Sequence, residues 1–263
     1  MSQQKTALIT GAGSGIGRAL AIEASRLGYS LILAGRTRSR LKETAGMCPA
    51  AEVTIVTADV TTPEGRAALS DAVGGRLDVL INNAGTLSVG HLSQLDDADL
   101  NRMIATNLTA PIALTRNVLP ALRAASGRIV NIGSVFGDIA YPFFAGYSAT
   151  KFGLRGFSDA IRRELSGSGI SVTYVAPRAT STAAETEFSA LVEPMHMTLD
   201  SAETVAAQTW AAILSGKREC FPKGKEALFV RIQRMFPSLI DSSVGAQARD
   251  PATLAALQAT NKL

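Results

Sequence analysis

Cysteine is scarce in this 263-residue chain: Cys48 and Cys220 stand far apart, with no CxxC pair and only two histidines beside them. A disulfide framework and a zinc site are therefore not expected, no metal-ligating cluster is read, and a reduced, cytoplasmic compartment fits best. No apolar run approaches the roughly 20 residues of a spanning helix. The opening MSQQKTALIT has no signal-peptide pattern, so no leader is expected. Charge is also sparse, at 18% of residues and a net +4. No basic run is interleaved with aromatics, which argues against a nucleic-acid partner. Hydrophobic residues reach 46%, enough for a sizeable core, and the disorder signature of low hydrophobicity with high charge is absent.

What the chain does have is alternation. Short apolar runs at 6–10, 30–34, 52–58, 77–82, 128–132 and 171–176 read as strands buried on both faces, because they are nearly continuous in apolar or β-branched residues. Helical patterns fall between them at 15–28, 37–46, 62–73, 97–124 and 146–166. Thr62-Pro63-Glu64 opens its helix with a hydroxyl cap, a first-turn proline and a carboxylate at the positive end. Strand–helix alternation at these spacings predicts an α/β, doubly wound parallel sheet of the Rossmann kind. A single domain spans 1–215, and 216–263 forms a basic, amphipathic C-terminal extension packed on it.

TGAGSGIG at 10–17 follows the first strand and opens the first helix. Its glycines permit a tight turn and let backbone amides approach a pyrophosphate at the helix N-terminus. The spacing Gly11-x3-Gly15-x-Gly17 differs from the common GxGxxG. An NAD site usually carries a carboxylate at the end of the second strand. Here that place reads LAGRTRSR, with Arg36 just past the strand and Arg38 and Arg40 behind it. A guanidinium in this position can grip the 2′-phosphate of NADP in forked geometry, whereas Arg38 and Arg40 are read as a solvated basic turn. In YSATK, Tyr147 and Lys151 are four positions apart and share a helical face. Taken alone, that pair is either a surface aromatic–cation contact or a phenol held beside an ammonium.

TGAGSGIG, ADV (58–60), NNAG (82–85), Asn107 in ATNLTAP, Ser134 in NIGS, and YSATK occur in an order and spacing that resembles the short-chain dehydrogenase/reductase family, in its NADP-preferring branch, over about residues 5–177. The resemblance implies a nicotinamide cofactor, NADP(H), and interconversion of an alcohol with a carbonyl. It makes Tyr147 the general acid/base and Lys151 the residue that tunes the phenol and holds the ribose. Ser134 then orients the substrate oxygen, and Asn107 supports a water-linked path to Lys151. An ammonium near the phenol is expected to draw its pKa down toward the working range. The cofactor would be held by Gly11, Ser14, Gly15, Ile16 and Gly17, by Arg36, and by Asp59 and Val60. Asn83, Ala84 and Gly85, Tyr147 and Lys151, and Pro177 and Thr182 would complete its contacts.

One departure stands out. Pro177 is followed by Arg178 where the family usually has glycine; the expectation is that Arg178 points to solvent, the alternative being a substrate carboxylate or a cofactor phosphate. Residues 183–199 occupy the place of the family's substrate loop. There Phe188, Leu191, Val192, Met195 and Met197 form either an apolar lid or ordinary helix packing, and His196 is read as a loop residue. Residues 217–234 carry six cations against two carboxylates. Leu228, Ile232, Met235 and Leu239 make a helical stripe expected to pack on protein beside the substrate entrance and the 183–199 loop. A membrane surface is the alternative, and the alanine-rich end is expected to fray. The function expected is an NADP(H)-dependent carbonyl/alcohol oxidoreductase on a fairly apolar substrate, assembled as a homodimer or homotetramer. A 3-oxoacyl-thioester reductase and an NADP(H)-sensing binding protein are the alternatives.

Overall fold

The computed structural model describes residues 4–181, 188–224 and 226–260. Strands β1 (Thr6–Thr10), β2 (Ser30–Gly35), β3 (Val53–Thr57), β4 (Val79–Asn82), β5 (Arg128–Ile132) and β6 (Ser171–Val175) lie where the apolar runs predict. They are joined by β9 (Glu219–Cys220) in one parallel sheet of order β3-β2-β1-β4-β5-β6-β9. A separate small pair is made by β7 (Thr180–Ser181) and β8 (Asp200–Ser201).

Successive strand residues point to opposite faces, and the core divides accordingly. Ala7, Ile9, Leu31, Leu33, Val79 and Ile81 pack under α1 (Gly15–Arg26) and α8 (Ala202–Leu214), through Leu20 and Trp210. Leu8, Ile32, Leu80 and Ile129 pack under α3 (Pro63–Val73), α5 (Ala110–Ala125) and α6 (Ala145–Glu164), through Leu69, Leu114 and Ile161. The single tryptophan is fully buried, and its indole N–H donates to the Leu20 carbonyl at 3.0 Å. At the start of α3 the Thr62 hydroxyl accepts from the Gly65 amide at 3.0 Å, as its cap signature requires.

The expected single helix over 97–124 is broken. It consists of α4 (Asp97–Ile104), a π-helical stretch at Ala105–Thr109, and α5. Pro111 supplies the reason: with no N–H and a ring that clashes four residues back, it cannot bond the Asn107 carbonyl in α-helical fashion.

The C-terminal part also differs from expectation. Its KREC stretch furnishes the seventh strand of the main sheet, so the sheet runs past residue 215. Helices α9 (Glu226–Met235), α10 (Pro237–Gln247) and α11 (Pro251–Thr260) follow. The alanine-rich end does not fray among the described residues: Asp250 accepts from the Thr253 amide at 2.8 Å and its hydroxyl at 3.0 Å, and Leu257 is buried. Helix α11 packs on α7 (Ser189–Val192) of the substrate loop. The stripe on α9 and α10 is largely uncovered: Leu228, Phe229, Met235, Phe236 and Leu239 are exposed, Ile232 is half-buried, and only Val230 of α9 is buried.

Arg178 does not point to solvent. It donates to Asp200 at 2.7 Å and to Glu226 at 2.6 Å, clamping the start of α9 to β8. Removing this cation leaves two carboxylates facing each other in a half-buried setting. Urea unfolding of Arg178→Ala is expected to show a loss of about 1–3 kcal/mol, the cost of stranding hydrogen-bonded groups. An unchanged midpoint would show that the clamp does not hold the C-terminal helices.

Candidate active site

Strand order reverses between β1 and β4, and a ligand crevice opens at the carboxyl ends of strands at such a point. Thr10 ends β1 there. Its hydroxyl accepts from the Asn83 and Ala84 amides, each at 3.0 Å, while the Asn83 side chain donates to the Thr10 carbonyl at 2.9 Å. NNAG is thus bolted to the glycine-rich turn. Gly11 and Gly15 have φ of +66° and +51°, and a Cβ on Gly17 would lie 2.2 Å from the Gly11 carbonyl oxygen. The first turn of α1 carries no acidic residue, leaving its positive end available to an anion.

These residues line a groove of about 610 Å³ together with Ser14, Ile16, Arg36, Asp59, Val60, Ala84 and Gly85. A dinucleotide fits it: bare backbone amides, an open helix N-terminus and a cradle that side chains would fill. Asp59 is its only carboxylate among the described lining residues. Thr61 holds that carboxyl below its usual range by hydroxyl and amide hydrogen bonds of 2.7 and 2.9 Å, and Arg36 adds to the effect. Arg40, on α2 (Arg38–Gly46), is exposed as its solvated reading expects, and it also borders the groove beside Arg36, against Gly13 of the turn.

A second cavity of about 410 Å³ continues from the first and carries the expected catalytic side chains. Ser134 leaves β5 at the start of a 3-10 turn, and Tyr147 and Lys151 project from the first turns of α6. The Ser134 hydroxyl accepts from the Phe136 amide at 3.1 Å and stands near enough to the Tyr147 phenol to favour its ionised form. Lys151 is buried and donates to the Ile132 carbonyl at 3.0 Å, with its Nζ 5.5 Å from the Tyr147 ring centre. Burial shifts the two groups in opposite directions, since it penalises whichever form is charged. The phenol is pushed up to about 12 by burial, against a smaller opposing effect of the Ser134 hydroxyl, and the ammonium is lowered to about 8. The expected fall of the phenol pKa is therefore reversed: desolvation decides it, and the ammonium is turned toward Ile132. Tyr147 is protonated at neutral pH.

Asn107 does not touch Lys151 directly. Its amide donates to the Thr86 carbonyl at 2.8 Å and Thr150 at 3.1 Å, and accepts from the Thr86 amide at 2.9 Å. The π-helical stretch presents this side chain to the loop and to α6 together. Beneath Ser134, a Cβ at Gly133 would sit 2.2 Å from the Tyr174 hydroxyl, which donates to the Ser134 carbonyl at 3.2 Å. Tyr174 positions Ser134, and no motif announced it.

The wall is mostly apolar, with Leu87, Phe136, Phe144, Phe188 and Met197, and with Pro177 and Arg178 at one side. Both readings of the substrate loop hold: Phe188 and Met197 face the cavity, while Leu191 and Met195 pack in a cluster with Leu257 of α11. His196 is an exposed loop residue at φ +50°. Thr182 and the loop residues 183–187 lie outside the described residues. Among the described residues no cluster could hold a metal ion, and no helix is long and apolar enough to cross a membrane.

The chain is similar to known proteins in sequence and in overall fold. The chain is 30% identical over 238 residues to retinol dehydrogenase 5 of Mus musculus, covering 88% of this chain and 70% of that one. Strong curated matches are spanned over 56% to 76% of their length. Among solved structures, a short-chain dehydrogenase/reductase from Burkholderia phymatum in complex with NAD superposes with a TM-score of 0.82 at 25% identity, covering 90% of this chain and 95% of that one. A short-chain dehydrogenase from Sphingobium yanoikuyae in complex with NADPH gives 0.77 at 29% identity and the same coverages. The model of the short chain dehydrogenase family matches residues 5–192, and the chain belongs to that family as an oxidoreductase acting on alcohols and carbonyls.

Proposed function

We propose that this protein is an NADP(H)-dependent oxidoreductase that interconverts a carbonyl and a secondary alcohol on a fairly apolar substrate. The observation that carries the reading is the convergence of Ser134, Tyr147 and Lys151 in a cavity walled by Leu87, Phe136, Phe144, Phe188 and Met197, next to a dinucleotide groove. When bound, the nicotinamide supplies the hydride to the carbonyl carbon or takes it from the alcohol. In reduction the carbonyl π pair moves onto oxygen, and Tyr147 hands that oxygen its proton. Ser134 donates to the same oxygen and fixes its approach. The Lys151 ammonium opposes the negative charge then left on the phenol. The Asn107 carbonyl, which Pro111 cannot bond, is the acceptor for a water-linked return of the proton through Lys151.

The preference for NADP(H) rests on Arg36 and Arg40 bordering the groove just past β2, whose end carries no carboxylate to meet a ribose hydroxyl. The free thiols of Cys48 and Cys220 suit a reduced, cytoplasmic setting. A homo-oligomer with twofold axes is supported by Ile104, Ile112 and Phe152, which are exposed on α4, α5 and α6.

A panel of ketones, 3-oxoacyl thioesters and secondary alcohols, followed by NADPH absorbance, tests the activity. Tyr147→Phe should lower kcat/KM by about 10²–10⁴-fold while cofactor affinity stays near wild type. Retained turnover in that variant, or none in the wild type on any class of the panel, would sink the mechanism. Arg36→Ala and Arg40→Ala should each weaken NADPH binding about tenfold, at the roughly 1.5–3 kcal/mol of a charged hydrogen bond, and leave NADH binding little changed. A wild type that binds both cofactors equally contradicts the assignment.

The pH profile follows from the two opposed shifts. As pH rises, Lys151 loses its proton first, near 8, and Tyr147 only near 12. Reductive kcat/KM should therefore hold below about 8 and fall above it as the ammonium disappears. Lys151→Arg keeps a permanent charge, and its alkaline limb should move upward. A limb that stays in place assigns the titration to another group.

A further inference from the structure

Helix α9 is mounted with its most apolar side outward. At about 100° per residue, Leu228, Phe229, Ile232 and Met235 fall within one arc, while Val230 lies opposite. The structure buries Val230 at 2% exposure and leaves Leu228, Phe229 and Met235 at 43–65%. Past the bend at Pro237, Phe236 and Leu239 extend the exposed apolar surface at 56% and 63%. Among the described residues, five of the twelve exposed large apolar residues lie in this single stretch of the chain, so the patch is concentrated. An amphipathic helix of a soluble protein turns that arc toward the core.

The surroundings are basic. Lys217, Arg218, Lys223 and Arg231 are exposed and form no ion pair among the described residues. The nearby carboxylates are engaged inward, Glu219 with Arg155 and Glu226 with Arg178. Asp241 is the one exposed carboxylate on α9 and α10. A twofold contact between copies would set this same patch against itself, cation facing cation. An anionic bilayer offers opposite charge to the rim and an apolar phase to the centre.

We propose that α9 and α10 form an interfacial docking surface for anionic membranes, lying in the bilayer surface without crossing it. The surface begins beside the substrate cavity, because Glu226 at the start of α9 binds Arg178 of the cavity wall. A protein docked there presents its apolar cavity next to the lipid phase. Docking stands on the surface alone and is measured without turnover, so its failure leaves the catalytic reading untouched.

The test is co-sedimentation of the full-length protein with phosphatidylcholine vesicles, with and without phosphatidylserine, at about 0.1 M and about 1 M salt. Binding is expected with the anionic vesicles at low salt and should weaken at high salt. The double variant F229S/F236S should partition about tenfold less, from the apolar area it no longer buries, with an unchanged melting temperature because both side chains are exposed. The double variant K223E/R231E should also lose about tenfold or more, which separates the basic rim from the apolar centre. No vesicle binding, equal binding to neutral vesicles, or wild-type partition by both variants overturns the proposal. So does a dimer by light scattering that F229S/F236S dissociates, since a second copy would then occupy the face.

Discussion

The hydroxyl of Thr10 holds the two halves of the ligand crevice together. It accepts the amides of Asn83 and Ala84 where β1 and β4 part, and the Asn83 side chain returns a hydrogen bond to the Thr10 carbonyl. The turn that would receive a pyrophosphate and the loop that leads to Lys151 therefore cannot move independently. Asn83 appears in its motif for this structural reason as much as for any contact with a cofactor. From the bolt outward the geometry is relayed: Gly85 runs beside Lys151, Thr86 pairs both backbone groups with Asn107, and Asn107 reaches Thr150 on α6.

That relay ends at a buried ammonium, which is costly unless its donors are met. Among the described residues, only the Ile132 carbonyl meets one of them directly. Burial answers the remaining cost by loosening the proton, and the same burial tightens the proton on Tyr147. The pair thus rests as an acidic lysine beside a phenol that keeps its proton at neutral pH. General acid catalysis needs the donor protonated beforehand, which the raised phenol provides.

Much of this was legible in the sequence because it is local. Parallel strands covered on both faces leave continuous apolar runs, and six of the seven main strands announce themselves so. The seventh does not: Glu219–Cys220 is two residues long and pairs only because β6 offers an open edge. The π-helical stretch was written at Pro111, but its consequence falls four residues earlier, at Asn107. Tyr174 looks like any strand residue until Gly133 leaves room for its ring. Arg178 could not be placed, since its partners Asp200 and Glu226 are far along the chain and no spacing rule connects them. The direction of the Tyr147 shift was missed for a similar reason. A lysine one turn away is visible in sequence, whereas the depth of burial is a property of everything packed around it.

Arg178 also explains how one C-terminal segment can face two ways. Its guanidinium replaces a glycine's freedom with a fixed junction, joining the strand that ends beside the cavity to the first residue of α9. From that junction the chain runs outward along α9 and α10 and returns as α11, which packs on α7 through the cluster holding Leu191, Met195 and Leu257. The inward helix closes the substrate loop, and the outward pair carries the exposed apolar arc. Arg234 adds a second tie from α9 to Asp138 at 2.9 Å, just past the turn that carries Ser134. The outer helices are therefore tied to both sides of the cavity, through Arg178 at one and Arg234 at the other.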